Sequence, residues 1–326
     1  MRRLHAIWWL PGLALATVIA LVDRRVESGD LVYFQGAAQT LLSDGWQDAY
    51  GDAALQSGPL QLFAIGIVEK LAGAIGLHPQ TLLALVVEVG LTAVFLGVVA
   101  RILRGRQGRE ILLTAAGIAF VLLGLPHGAF VDGHLSQVVI PLVWVLAALD
   151  ARDGKVAAAG VLIGVSAAIE TWGILGLPVL LLAALAWRAA SGAVAAVLTA
   201  AALYAPFVLA GEFAMVDYEW VVSSGSLLGQ VVDPGTRFGW ELRAAQGAVA
   251  LGIGAVAAWL LRGRDHALWV VPIVVVLSRL LLDPVLYSWY LIGFETLLLV
   301  GAAELLSSGA FRRLLDARRA PAPYTG

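Results

Sequence analysis

The chain predicts an all-α polytopic membrane protein. Three observations carry this. Hydrophobic residues make up 60% of the 326 positions and charged residues only 13%, about half the charged share of a water-soluble domain. Apolar segments recur along the whole length, roughly ten of them. The longest interruption, from Ser28 to Leu77, follows the first apolar segment directly and gathers Asp30, Asp44, Asp48 and Asp52. There is no cysteine, which excludes disulfides, thiolate metal sites and cysteine nucleophiles.

The apolar segments run over 7–22, 81–103, 111–125, 135–149, 156–170, 172–187, 190–211, 244–261, 267–282 and 289–306. The first follows a basic start, as in a signal peptide. No small-x-small cleavage site precedes Asp23, so it reads as an uncleaved span. Two further helices are expected in the first loop. Over 31–43, Phe34, Ala37, Ala38, Leu41 and Leu42 follow a helical period, with Gln35, Gln39 and Thr40 opposite. Over 60–77 the pattern is amphipathic, and Glu69 and Lys70 sit in its middle. A charge at the membrane centre costs about 2.5–3.5 kcal/mol on insertion scales. Both helices are therefore expected to lie in the interface. Several spans have only about fifteen residues, short of the roughly 20 a straight crossing needs. The junctions at 126–137 and at Glu170-Thr171-Trp172-Gly173 predict irregular backbone near membrane depth, tolerated where it lines a cavity.

Basic residues set the topology. With the N-terminus inside and 60–77 on the surface, Arg24, Arg25, Lys70, Arg237, Arg243 and Arg279 fall outside, and the other 15 of the 21 Lys and Arg fall inside. If 60–77 crossed, about five would remain inside. Residues 24–80 then form one outer loop. The loops 126–137, 212–243 and 283–290 share its side, so their polar groups are expected to converge on one outward-facing cavity. One transmembrane domain, 1–311, and a basic cytoplasmic tail, 312–326, complete the organisation.

The arrangement resembles the GT-C superfamily of integral-membrane glycosyltransferases, nearest to the bacterial branch that uses polyprenyl-phosphate mannose and similar donors. The resemblance rests on Gly29-Asp30 with Tyr33, Asp44-Gly45 and Tyr50. It rests also on Gly58-Pro59-Leu60 at the place of a Tyr-Pro-Pro-like turn, and on Gly133-His134 with Gln137 before Ala159-Gly160 and Gly164. It covers about the first 200 residues. Where that branch often has Lys-Pro, this chain has Glu170-Thr171-Trp172. The resemblance implies a metal-independent inverting displacement. A carboxylate takes the proton of an acceptor hydroxyl, which attacks the anomeric carbon of a lipid-phosphate sugar. Implied partners are a polyprenyl-phosphate-linked sugar donor, a glycan or glycolipid acceptor and membrane lipids, with no nucleic acid. The implied place is the cytoplasmic membrane, with the site facing outward and both termini inside.

On this reading Asp30 is the base, although Ser-Gly-Asp before an apolar run is also a helix start. Tyr33, Asp48 and Gln56 join it from the first loop, Arg237 from a later one. Asp44, Asp48 and Asp52 also read as turn residues. Their spacing admits a divalent cation held by oxygen, and no other cofactor is expected. His127, Asp132, His134 and Gln137 read as hydrogen-bonding groups toward sugar or phosphate, as structural caps, or, for the His pair with Asp132, as zinc ligands. Glu170 is an intramembrane carboxylate, functional by default, and Trp172, Tyr287 and Trp289 are interfacial aromatics or sugar platforms. Arg279 pairs with Asp283 at i+4 or grips a phosphate. Glu88 and Glu295 also fall in spans. Two other classes stay open: a transporter or flippase of a lipid-linked or small polar solute, and a non-catalytic assembly partner of the same fold.

Overall fold

The computed structural model describes residues 7–22, 29–183, 185 and 187–308. The basic tail at 312–326 lies outside these, as do Arg24 and Arg25. The fold is nearly all helical: α1 (Leu10–Val22), α2 (Gly29–Leu41), α3 (Pro59–Ile75), α4 (Pro79–Ile102), α5 (Arg109–Leu122), α6 (Leu125–Val131), α7 (Ser136–Arg152), α8 (Val156–Ile169), α9 (Arg188–Ala210), α10 (Trp240–Leu261), α11 (Ala267–Leu281) and α12 (Leu291–Ser307).

Local chemistry explains the boundaries. Pro59 and Pro79 open α3 and α4 in the first turn, where the missing N–H costs nothing. Gly76 closes α3 with φ +70°, and its N–H returns to the Ala72 and Gly73 carbonyls. The expected faces hold in α2, where Leu31, Phe34, Ala38 and Leu41 are buried. Helix α3 packs on α2, α4 and α8. Its two central charges turn toward α2: Gln39 Nε2 donates to Glu69 (3.4 Å), and Lys70 Nζ donates to the Leu42 carbonyl (2.8 Å).

Five helical stretches are long and apolar enough to cross a membrane: 79–102, 109–131, 188–210, 240–261 and 288–307. Shorter apolar helices cover 7–22, 156–169, 171–182 and 267–281. On α9 and α10 the apolar residues face outward, among them Leu198, Leu209, Val256 and Trp259. That is the sidedness of helices in lipid. Between α8 and α9, Gly160 and Gly164 lie against the backbone at Gly192 and Ala196. This close approach between small residues is how helices associate where hydrophobicity gives no driving force.

Two expectations need correction. The segment 126–137 is not wholly irregular. Gly124, at φ +70°, kinks the chain, and α6 then continues to Val131. The segment 172–187 is not an α-helix. Residues Thr171–Leu182 wind as a 3-10 helix, much longer than the usual 3–4 residues. Gly173 sits against Ser166 and Gly176 against the Trp144 indole, a closeness that only glycine permits. The all-α class holds, with one small exception in a loop. A two-stranded antiparallel ribbon joins β1 (Trp220–Val221) to β2 (Arg237–Phe238). Its far end turns at Asp233-Pro234-Gly235, with Gly235 at φ +91°.

Charge sorts the two ends of the bundle. At one end Arg101 pairs with Asp150 and Asp153, and Asp265 receives both Arg106 and Arg152. At the other end the segments 29–61, 132–136, 170, 218–221 and 283–290 meet. The loops thus group as the distribution of basic residues predicts.

Candidate active site

A cavity of about 560 Å³ opens at this second end. Its wall is drawn from α2, the turn before α3, the 132–135 loop, Glu170, β1 and the segment before α12. Asp30, Tyr33, Gln56, His134, Glu170, Tyr287 and Trp289 all line it.

Asp30 lies in the first turn of α2, where the helix dipole favours negative charge. Its carboxylate Oδ2 is 3.0 Å from His134 Nε2, and its side chain is half exposed to the cavity. This hydrogen bond holds the Asp30 carboxyl below the usual carboxylate range, against an opposing effect of burial. The partners are 104 residues apart. Gly133 brings them together: its φ is +76°, and a Cβ there would lie 2.8 Å from the Leu31 nitrogen. The loop can therefore rest on the start of α2 only with glycine at this position. The imidazole of His134 stacks on Trp289 (5.1 Å between centroids, 10° between planes) and meets the Phe34 ring edge-on. Trp289 stacks in turn with Tyr287 (4.4 Å, 6°). Tyr287, 45% exposed, offers more free ring surface than Trp289.

Deeper in the cavity, Ser57 pairs with Glu170 through a backbone bridge, and the Gly58 N–H donates to the Ile169 carbonyl (2.8 Å). A side chain at Gly58 would overlap the Ala168 carbonyl. The Gly58-Pro59 turn thus lets α3 start against the end of α8. Glu170 accepts a hydrogen bond from Ser136 Oγ. Toward the rim, the Tyr33 hydroxyl donates to Asp52 Oδ2 (2.7 Å). This bond lowers the Asp52 carboxyl, and burial together with the bond raises the Tyr33 phenol. Gln56 Nε2 donates to the Ala53 and Met215 carbonyls (2.7 and 3.1 Å), tying the first loop to the segment before β1.

Behind the wall lies a buried charge cluster. Arg279 is flanked by the rings of Trp172 (4.6 Å) and Tyr290 (5.2 Å). Its Nη2 is 3.7 Å from Asp283 Oδ2, beyond hydrogen-bond length. The hydrogen bond to that oxygen comes from Arg243 Nη1 (3.0 Å). Arg243 also donates to Gln246 (2.8 Å), which donates to the Arg279 carbonyl (2.8 Å), and it lies over the Trp220 ring (4.1 Å). The expected i+4 pair is real but secondary, because α10 delivers a closer cation.

The remaining expected residues stand apart from the cavity. Asp48 borders a shallow groove between α2 and the following turn. Gln137 is buried at the start of α7. Arg237, 80% exposed, pairs with Glu219. Asp132 caps the end of α6 outside the lining. His127 turns to the fully buried Glu88 (3.0 Å) while His134 turns to Asp30. The two histidines thus do not converge. Among the described residues no group of three or more His, Asp or Glu side chains gathers to hold a metal. Sequence reasoning missed Ser57, Gln61, Tyr218, Trp220 and Tyr290 in the lining, and Arg243 behind it. Only Arg243 had left a signal, as one of few basic residues on its side.

The family model described as glycosyltransferase family 87 matches residues 71–284. No curated protein matches the chain.

Proposed function

The chain belongs to glycosyltransferase family 87, a GT-C-type membrane family, and from that premise we propose that it transfers a sugar from a polyprenyl phosphate, of the mannose type, to an acceptor hydroxyl outside the cytoplasmic membrane. The glycosyltransferase class and the multi-pass membrane character follow from the family and the apolar helices. The donor, the site and the orientation are our reading.

The observation that carries it is the Asp30–His134 pair at the cavity wall. Asp30 removes the proton from the acceptor hydroxyl as its oxygen attacks the anomeric carbon. The bond from that carbon to the phosphate oxygen breaks, and the lipid phosphate leaves with the electron pair. The sugar carbon inverts. The hydrogen bond from His134 keeps Asp30 ionised and aimed, which a positioned base requires. Arg243 and Arg279 lie behind Trp220 and Tyr290 rather than in the lining. Their role is to make that wall favourable for the leaving phosphate. The single transmembrane domain over 1–311 is retained in this reading.

Mass spectrometry of lipids copurified with the protein tests the donor. A polyprenyl phosphate or its glycosylated form is expected. Recovery of ordinary phospholipids alone, from membranes that contain the polyprenyl lipid, would refute the donor assignment.

The orientation has its own test. Single cysteines at the exposed Ala74 and near the exposed Gly235 are expected to react with an impermeant reagent on intact cells, and one at the exposed Gly105 is not. Labelling at Gly105 would invert the topology and place the cavity inside.

A further inference from the structure

The deep part of the cavity carries polar groups that the transfer step does not use. Ser57 and Gln61 are 3% and 4% exposed, and both line the cavity. Among the described residues, Ser57 Oγ and Gln61 Oε1 have no hydrogen-bond partner. Buried oxygens left in this state are costly. The amide orientation of Gln61 is fixed by chemistry. Its Nε2 donates to the Gly133 carbonyl (3.3 Å), and a carbonyl can only accept. The amide oxygen is therefore the atom left without a donor, on a residue that lines the cavity. Glu170, bridged to Ser57, adds a carboxylate that also only accepts.

We propose that Ser57, Gln61 and Glu170 form a hydroxyl-reading floor for the donor's sugar ring, with Gln61 as a selectivity-determining residue. This rests on the lipid-phosphate donor reading above. A floor rich in acceptors and bearing a carboxylate suits neutral hydroxyl donors and repels a phosphate. It thus assigns the sugar and the phosphate to different parts of one cavity. The floor is linked to both groups the reaction needs. Gln61 is bonded to Gly133, next to His134 and its partner Asp30. Glu170 is two residues from Trp172, which lies against Arg279. A ring seated there would have its reacting carbon between base and leaving group. The lone acceptor of Gln61 also gives selectivity, since a site built to bond one hydroxyl discriminates against an analogue that lacks it.

The test compares two short-chain polyprenyl phosphates, one carrying mannose and one bare, binding to the purified full-length protein in nanodiscs. The wild type is expected to bind the glycosylated lipid more tightly. Gln61→Met is expected to weaken that binding on the order of tenfold and to leave the bare lipid unchanged, with Ser57→Ala acting in the same sense. Equal affinity of the wild type for both lipids would overturn the floor while leaving the donor reading intact, and so would an undiminished preference in Gln61→Met. Equal loss on both lipids in both variants would make these residues supports of the fold and also overturn the proposal. Binding of neither lipid by the wild type would remove the donor reading, and the floor with it.

Discussion

Replacing Asp30 by asparagine is expected to lower sugar transfer by roughly 10²–10⁴-fold, the usual contribution of a general base, while the protein still folds and inserts. Asparagine keeps the shape and an oxygen that can accept from His134 Nε2, so the contact with the 132–135 loop survives. What is lost is the ability to take a proton. The pH profile gives a second arm. The folded carboxyl of Asp30 is lowered by its bond to His134. A depressed carboxylate stabilises the fold above its unfolded value, and that contribution is lost as pH falls through the folded one. The acid limb of kcat/KM should therefore lie below the ordinary aspartate value of about 3.8. His134→Ala should move it upward toward that value. Near-wild-type transfer by Asp30→Asn would reduce the residue to a helix-start anion. Glu170 would then be the next base to consider, because Asp44 and Asp48 lie off the cavity.

The sequence shows well whatever depends on neighbours along the chain. Pro59 and Pro79 mark helix starts, Gly76 marks an end, and the apolar period shows which face of α2 is buried. The basic residues sort the loops into two groups, because their sidedness is a property of composition rather than packing. Asp30 could be singled out as a carboxylate just past the first span, but its partner could not. Nothing local ties Asp30 to His134 across 104 residues. The pairing exists because Gly133 allows one backbone to rest on another. Gln61 reads as an ordinary position in an amphipathic helix. Only the folded Gly133 carbonyl takes its amide hydrogens and leaves its oxygen unmatched. The 3-10 helix at Thr171–Leu182 hides in the same way, since its apolar residues fit a span and only contacts with Ser166 and Trp144 reveal why it is wound tightly.

Arg279 and Asp283 show the same limit, and they carry the second large expected effect. Spacing at i+4 makes them the natural pair, yet the Asp283 oxygen bonds to Arg243, 40 residues away. Asp283 is fully buried, and the side chains of Arg243 and Arg279 are 13% and 7% exposed. One carboxylate thus serves two buried guanidiniums, and its other oxygen accepts from the Val285 N–H (3.3 Å). Asp283→Ala should cost about 3–5 kcal/mol of stability, the penalty for leaving buried charge uncompensated, read as a lowered melting temperature in a single detergent. Double replacements then identify the partner. Arg243→Leu with Asp283→Leu removes the hydrogen-bonded pair together, and Arg279 keeps the flanking rings of Trp172 and Tyr290. This variant should recover much of the loss, since a buried ion pair replaced whole by apolar groups is often neutral. Arg279→Leu with Asp283→Leu should recover less, because Arg243 would lose its carboxylate and keep Gln246 and the Trp220 ring alone. The opposite order of recovery would make the i+4 pair the dominant one and reduce Arg243 to a cation resting on Trp220.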